Sequence, residues 1–278
     1  FIKSNTYDVI ISQNLLYAII FRKFNKGAKI YLIEEGLSSY TGRTDSAKRR
    51  SKSFHFFNKY ILKADLKNFI SGQYLYRPEM YNGEQKKIVS LPQLERHKYN
   101  FYNKLFNYSD CDNYTLTRFI YLGAPFYGLK DLLVDPIKVK PDFEDKCKLI
   151  LDSILSLPSQ NSFMYRKHPL EVINLTTKKN NYNFDNCGNV WEMECQNKIN
   201  HKHVIVSFFS TGAFSPKLLF DKEPYIIFLF KLLDMKLFNA EKLIHSLRSI
   251  YRNPDKVIII ESLEHYYDVV ASIEKLEF

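Results

Sequence analysis

Cysteine is scarce in this sequence: Cys111, Cys147, Cys187 and Cys195 are the only four among 278 residues. None forms a C-x-x-C pair, and no histidine stands at zinc-ligand spacing from them, which argues against a metal site. Four reduced structural thiols are therefore the expectation, and with them a cytoplasmic protein. Long apolar runs are missing too. Nothing approaches the roughly 20 residues of a membrane span, and the apolar stretch from Tyr225 to Leu233 is short and broken by Lys231. Residues Phe1 to Ile11 lack the pattern of a signal peptide. The chain opens on Phe1 rather than Met, so an N-terminal piece is expected to be missing. Internal repeats and low-complexity linkers are also absent.

What is present is enough apolar surface for a core. Hydrophobic residues make up 45% and aromatic residues 15%, mostly Tyr (20) and Phe (22) with a single Trp, so the chain is globular rather than disordered. The net charge of +10 calls for an anionic partner. A nucleotide, a nucleic acid, an acidic sugar and a membrane surface all meet that requirement, and charge by itself does not choose among them.

Patterning divides the chain into two groups of alternating strands and helices, the mark of a two-domain α/β protein, with domains at 1–116 and 117–278. In the first, Tyr7–Ser12 reads as a strand, Asn14–Phe24 as an amphipathic helix, and Ile30-Tyr-Leu-Ile33 as a buried parallel strand, apolar without alternation. That strand runs straight into Glu34, Glu35 and Gly36. The basic, aperiodic stretch 41–53 follows as a loop, then a helix over Phe54–Leu66, a short strand at Lys67–Ile70, irregular chain with turns from Ser71, a strand at Lys87–Leu91 and a helical connection over 93–115. In the second group, a strand ends at Gly123 and Pro125, and Pro141 opens a helix over Asp142–Leu157. A strand from Phe163 terminates at His168-Pro169, and Asn189–Glu194 is a short segment carrying Glu192 and Glu194. His203–Phe209 is a strand ending in Ser210-Thr211-Gly212 at the mouth of a helix. Glu223–Phe230 fits either a strand or a buried helix. A helix over Lys236–Tyr251, a strand at Lys256–Ile260 and a helix capped by Ser262 complete the chain.

Polar residues of complementary kinds thus collect at four strand ends: Glu34 and Glu35; His168; Glu192 or Glu194; Ser210 and Thr211. In open α/β sheets that edge is where ligands bind. Each group alone also fits a plainer role, as solvated acids, a structural His-Pro turn or a helix cap.

Taken in order, Glu34-Glu35-Gly36, His168-Pro169 and Ser210-Thr211 resemble the three short motifs of the bacterial sialyltransferases that use CMP-sialic acid. Ile33-Glu-Glu-Gly-Leu-Ser-Ser-Tyr40, the Leu122-Gly-Ala-Pro125 turn and Glu192 between the later motifs are most similar to glycosyltransferase family 52, the lipooligosaccharide and capsule sialyltransferases. The resemblance covers about residues 7–215 and leaves the first domain short of the family's usual length.

The resemblance implies a GT-B-like α/β fold, two Rossmann-like domains with a central cleft, and an inverting transfer. Glu34 is the implied general base, taking the proton of the attacking acceptor hydroxyl, with Glu35 in support and Gly36 letting the chain turn away. His168 is the implied general acid toward the phosphate of departing CMP. Pro169, Ser210 and Thr211 belong to the phosphate site and Glu192 to the ribose. No cofactor or metal is implied, since CMP leaves as one phosphate that a histidine and hydroxyls can manage. The implied partners are CMP-sialic acid and an oligosaccharide or glycolipid acceptor ending in galactose. The basic loop Lys48–Lys52 adds peripheral contact with the inner face of the plasma membrane, and a homodimer stays open. Two alternatives remain: a GT-B transferase using another nucleotide sugar, and a basic nucleic-acid-binding protein, which the lack of any nucleic-acid module disfavours.

Overall fold

The computed structural model describes residues 7–13, 15–34, 36, 39–40, 70–83, 87–123, 143–155, 163–169, 171, 183–233 and 240–276. Glu35, Pro125, Pro141, the basic loop with Lys48–Lys52 and the expected helix at Phe54–Leu66 lie outside them. Contacts divide the chain into two units, 1–93 and 94–278, each an α/β structure on a parallel sheet.

The first unit holds a four-stranded sheet in sequence order, β1 (Val9–Ser12), β2 (Lys29–Ile33), β3 (Gly72–Leu75) and β4 (Ile88–Ser90), with α1 (Leu15–Phe24) between the first two. Ile30 and Leu32 of β2 are fully buried, as an apolar strand without alternation demands. Of the strand expected at Lys67–Ile70, residues 67–69 lie outside the described residues and Ile70 is not in a strand; the correction falls on the chain from Ser71, expected to be irregular, where β3 begins at Gly72. Its first two residues disguised it. A Cβ on Gly72 would lie 2.8 Å from the carbonyl oxygen of Lys87 and 2.9 Å from a ring carbon of Tyr31, so the position admits only glycine. Gln73 is fully buried, yet its amide donates to the Ser39 carbonyl at 2.8 Å. A glycine and a polar residue mask a strand that register with Tyr31 and Leu32 makes central.

The second unit carries six parallel strands: β5 (Phe119–Leu122), β6 (Phe163–Arg166), β7 (Asn183–Phe184), β8 (Val204–Ser207), β9 (Tyr225–Phe228) and β10 (Val257–Ile259). Their spatial order is β7-β6-β5-β8-β9-β10. The chain starts in the middle, winds outward to β7, crosses back past β5 to β8 and winds out the other way. That is the order of doubly wound sheets, whose switch point lies between β5 and β8. Every residue of β5 and β8 is buried, so the switch point is the core of the unit. The segment 223–230, open in the sequence, resolves as strand β9.

Helices α2 (Tyr99–Leu105) and α3 (Asn113–Leu116) belong to this unit, although the expected boundary stood at 116/117. Side chains tie them in. Gln196 and Asn197 of α5 (Trp191–Asn197) bond Asn103 Oδ1 at 2.7 and 2.9 Å, and buried His203 bonds the Tyr114 carbonyl at 3.0 Å. Cys111 and Cys187, 76 residues apart, form a disulfide with Cα atoms 6.0 Å apart, which corrects the expectation of four free thiols. Spacing could not show it, because folding brings α3 beside the turn after β7. Cys147 and Cys195 are free and buried.

Helix α4 (Phe143–Leu155) precedes β6, α6 (Ser215–Phe220) lies between β8 and β9, α7 (Ala240–Ile250) precedes β10, and α8 (Leu263–Glu274) ends the chain. Ser262 Oγ caps α8 by accepting the His265 N–H at 3.1 Å. Within the second unit, the Tyr267 hydroxyl of α8 donates to the Ser153 carbonyl of α4, and the Arg118 guanidinium donates to the carbonyl of Ile273. No helix among the described residues is long and apolar enough to cross a membrane.

Candidate functional site

At the carboxyl edge of the first sheet, Glu34 directly follows β2 and its backbone N–H still donates to the Tyr74 carbonyl at 3.0 Å. The side chain is half-buried and turned back across the strand ends. Its Oε2 accepts the Tyr76 N–H at 2.8 Å and the Tyr40 hydroxyl at 2.5 Å. Gly36, at φ 90°, turns the chain in a conformation that glycine adopts without strain. The chain then returns as a 3-10 turn at Ser39–Tyr40, where both residues are fully buried. The carboxylate is thus held in one place by a backbone donor just beyond β3 and the phenol of the Ser39–Tyr40 turn.

The carboxyl edge of the second sheet gathers the later motifs. His168 lies two residues beyond β6, in a turn that Glu171 closes from both sides. The Glu171 carboxylate accepts the His168 N–H at 3.1 Å, and its own N–H donates to the His168 carbonyl at 2.9 Å. The Tyr165 hydroxyl donates to the same carboxylate. Glu171 fills the space next to Gly123, where a Cβ would run into Glu171 Oε2 and lie 2.9 Å from the His168 nitrogen. Gly123 therefore ends β5 as glycine because the His168 turn rests on it, with its N–H bonded to the Arg166 carbonyl at 2.8 Å. Burial holds the His168 imidazole below its ordinary pKa of 6.5, so the ring is neutral in the free protein at pH 7. Burial pushes the Glu171 carboxyl up.

Across the switch point, β8 ends at Ser207, and Ser210 follows two buried phenylalanines. Ser210 Oγ accepts the Gly212 N–H at 3.3 Å and caps a 3-10 turn, Thr211–Phe214, that runs into α6; Thr211 is exposed. Glu192 is corrected in its placement. It and Glu194 sit in the first turn of α5, not at the end of a strand. The helix is nonetheless fastened to the Ser-Thr-Gly turn. Trp191 Nε1 donates to the Gly212 carbonyl at 2.7 Å, a Cβ on Gly212 would meet that indole at 3.2 Å, and Ser215 Oγ lies 3.5 Å from Glu192 Oε1. Glu194 is buried, taking the Asn189 amide at 2.6 Å, and burial pushes its carboxyl up; it serves the framework.

The fold therefore brings His168, Ser210, Thr211 and Glu192 to one edge, on both sides of the switch point. Pro169 is exposed within the His168 turn. The sequence did not single out Tyr40, Glu171, Trp191, Arg166 or Asp185. Arg166 ends β6, pairs with Asp185 after β7, donates to the Tyr114 hydroxyl at 2.7 Å, and lies 5.5 Å over the Trp191 ring. The only available signal was proximity in sequence: Tyr40 six positions after Glu34, and Glu171 three after His168. Among the described residues no cluster of His, Cys, Asp and Glu could hold a metal ion. No protein-family model matches this chain, and no curated protein matches it either.

Proposed function

We propose that this chain is an inverting, metal-independent sialyltransferase that moves sialic acid from CMP-sialic acid to a terminal galactose of a bacterial surface glycan, with its two units in a GT-B arrangement. One observation carries the proposal. In a doubly wound sheet, the Ser-Thr-Gly turn follows β8 at the switch point, and the His-Pro turn follows β6 and rests on Gly123 just beyond β5, the edge where such sheets bind nucleotides. The acidic motif ends a parallel strand of the other unit, as the resemblance requires.

In this mechanism the acceptor hydroxyl attacks the anomeric carbon while the bond from that carbon to the CMP phosphate breaks. Glu34 takes the hydroxyl proton, and the donors on its Oε2 hold the carboxylate for that task. Charge grows on the departing phosphate. His168 and the Ser210–Gly212 turn supply donors to it, and Glu192 accepts from ribose hydroxyls. A neutral His168 donates through its N–H. To act as an acid it must be protonated in the complex, where the phosphodiester anion, whose charge grows as CMP departs, favours the charged ring against the effect of burial. The acid role thus predicts that turnover falls as pH rises through the pKa of His168 in the bound state.

Thermal unfolding with CMP, UDP, GDP and a DNA duplex tests the proposal. CMP alone should stabilise, by about 2.7 kcal/mol at one hundred times its Kd. Stabilisation by UDP or GDP without CMP would make this a transferase of another donor, and DNA binding with a steep salt slope would remove it from the enzymes. Glu34→Gln should abolish transfer from CMP-sialic acid to galactose-terminated oligosaccharides while leaving CMP protection intact.

A further inference from the structure

The fork between β2 and β3 holds a titratable group with no role in the scheme above. Tyr40 is fully buried, yet its hydroxyl is at the centre of the carboxyl edge: it donates to Glu34 Oε2 at 2.5 Å and accepts the Arg77 N–H at 3.2 Å. Three further bonds that do not involve Glu34 hold its stretch of chain. The Asn82 N–H donates to the Tyr40 carbonyl at 2.9 Å, the buried Gln73 amide to the Ser39 carbonyl at 2.8 Å, and the Ser39 N–H to the Gly36 carbonyl at 3.0 Å. A ring so restrained presents its hydroxyl in one direction only. Burial, followed by the charge of Glu34, pushes the phenol far above the ordinary tyrosine value, so it remains a donor at every working pH. Among the described residues, the other charged groups nearby are Arg77 and Glu79, which pair with each other at 3.7 Å on the turn after β3.

We infer that Tyr40 is the positioning residue of Glu34: its hydroxyl fixes the carboxylate against the ends of β2 and β3. The inference rests on Glu34 being the base of the proposed transfer. It gives the acidic motif an inner logic, because a sequence that places two acids before a glycine also returns, within six residues, the phenol that aims the first of them.

Two measurements on Tyr40→Phe test this. In the pH profile of kcat for transfer from CMP-sialic acid, the acid limb should move up by about one pH unit, the effect of losing one donor to a carboxylate. A packing role would lower kcat without moving the limb. The second measurement needs no activity. Urea unfolding of wild type, Tyr40→Phe, Glu34→Ala and the double variant should be non-additive, since the two side chains share a hydrogen bond. Additive effects, or an unmoved acid limb, would overturn the inference. A coupled cycle in a protein that transfers nothing from CMP-sialic acid would uphold the Tyr40–Glu34 pairing and strike only the assigned reaction.

Discussion

At the scale of residues, the positions that matter are those with no alternative occupant. Gly123→Ala places a methyl against the carboxylate of Glu171 and, at 2.9 Å, against the backbone nitrogen of His168. Glu171 can swing away but the backbone cannot, so we expect a loss of about 1–3 kcal/mol in urea unfolding. Adding Glu171→Ala should recover only part of it. His203 makes a pH prediction. It is buried, its Nδ1 lies 3.1 Å from the Asn200 N–H and 3.2 Å from Asn200 Oδ1, and its Nε2 bonds the Tyr114 carbonyl at 3.0 Å. Burial lowers its pKa from 6.5, so the unfolded chain binds a proton that the native state refuses. Stability should be complete above pH 6.5 and fall as pH drops from 6.5 towards the lowered value. His168 acts in the same direction. A His203→Gln variant should show a flatter dependence when unfolding is followed from pH 8 to pH 5, a range chosen around the imidazole value.

At the scale of elements, legibility depended on whether a strand announced itself with apolar residues. β2 and β8 did, and they sit where the pattern put them. β3 did not, because Gly72 and Gln73 are chosen by neighbours across the sheet, a tyrosine ring and a carbonyl 34 residues away. Helix α5 misled for the opposite reason. Val-Trp-Glu-Met-Glu alternates like a strand, yet it winds as a helix because Trp191 anchors to Gly212 while Met193 and Cys195 are buried behind it. Trp191 is the only tryptophan in the chain, and it lies beside the Ser-Thr-Gly turn. Nucleotide bound at this edge should therefore change tryptophan emission, and titration with CMP should show it. Trp191→Phe should abolish the signal and cost about 1 kcal/mol, the worth of one hydrogen bond.

At the scale of the molecule, the disulfide is the one covalent tie that crosses elements. Denatured, unreduced protein should present two titratable thiols, Cys147 and Cys195, and four after reduction. Reduction should lower stability by about 2–4 kcal/mol, since the bond closes a long loop in the unfolded chain. Four free thiols without reductant would show the bond unformed. By itself the sequence determined the α/β class, the alternation of strands and helices, and the placing of Glu34, His168 and Ser210 just beyond strand ends, because apolar runs and the polar residues that end them are local signals. Only the tertiary structure decided the strand order, and so the switch point. It alone joined Cys111 to Cys187, fastened Glu192 to the Ser-Thr-Gly turn through Trp191, and set Tyr40 against Glu34. Each of these is a contact between segments whose residues suit each other and not their own neighbours, and such complementarity leaves no period in the chain to be read.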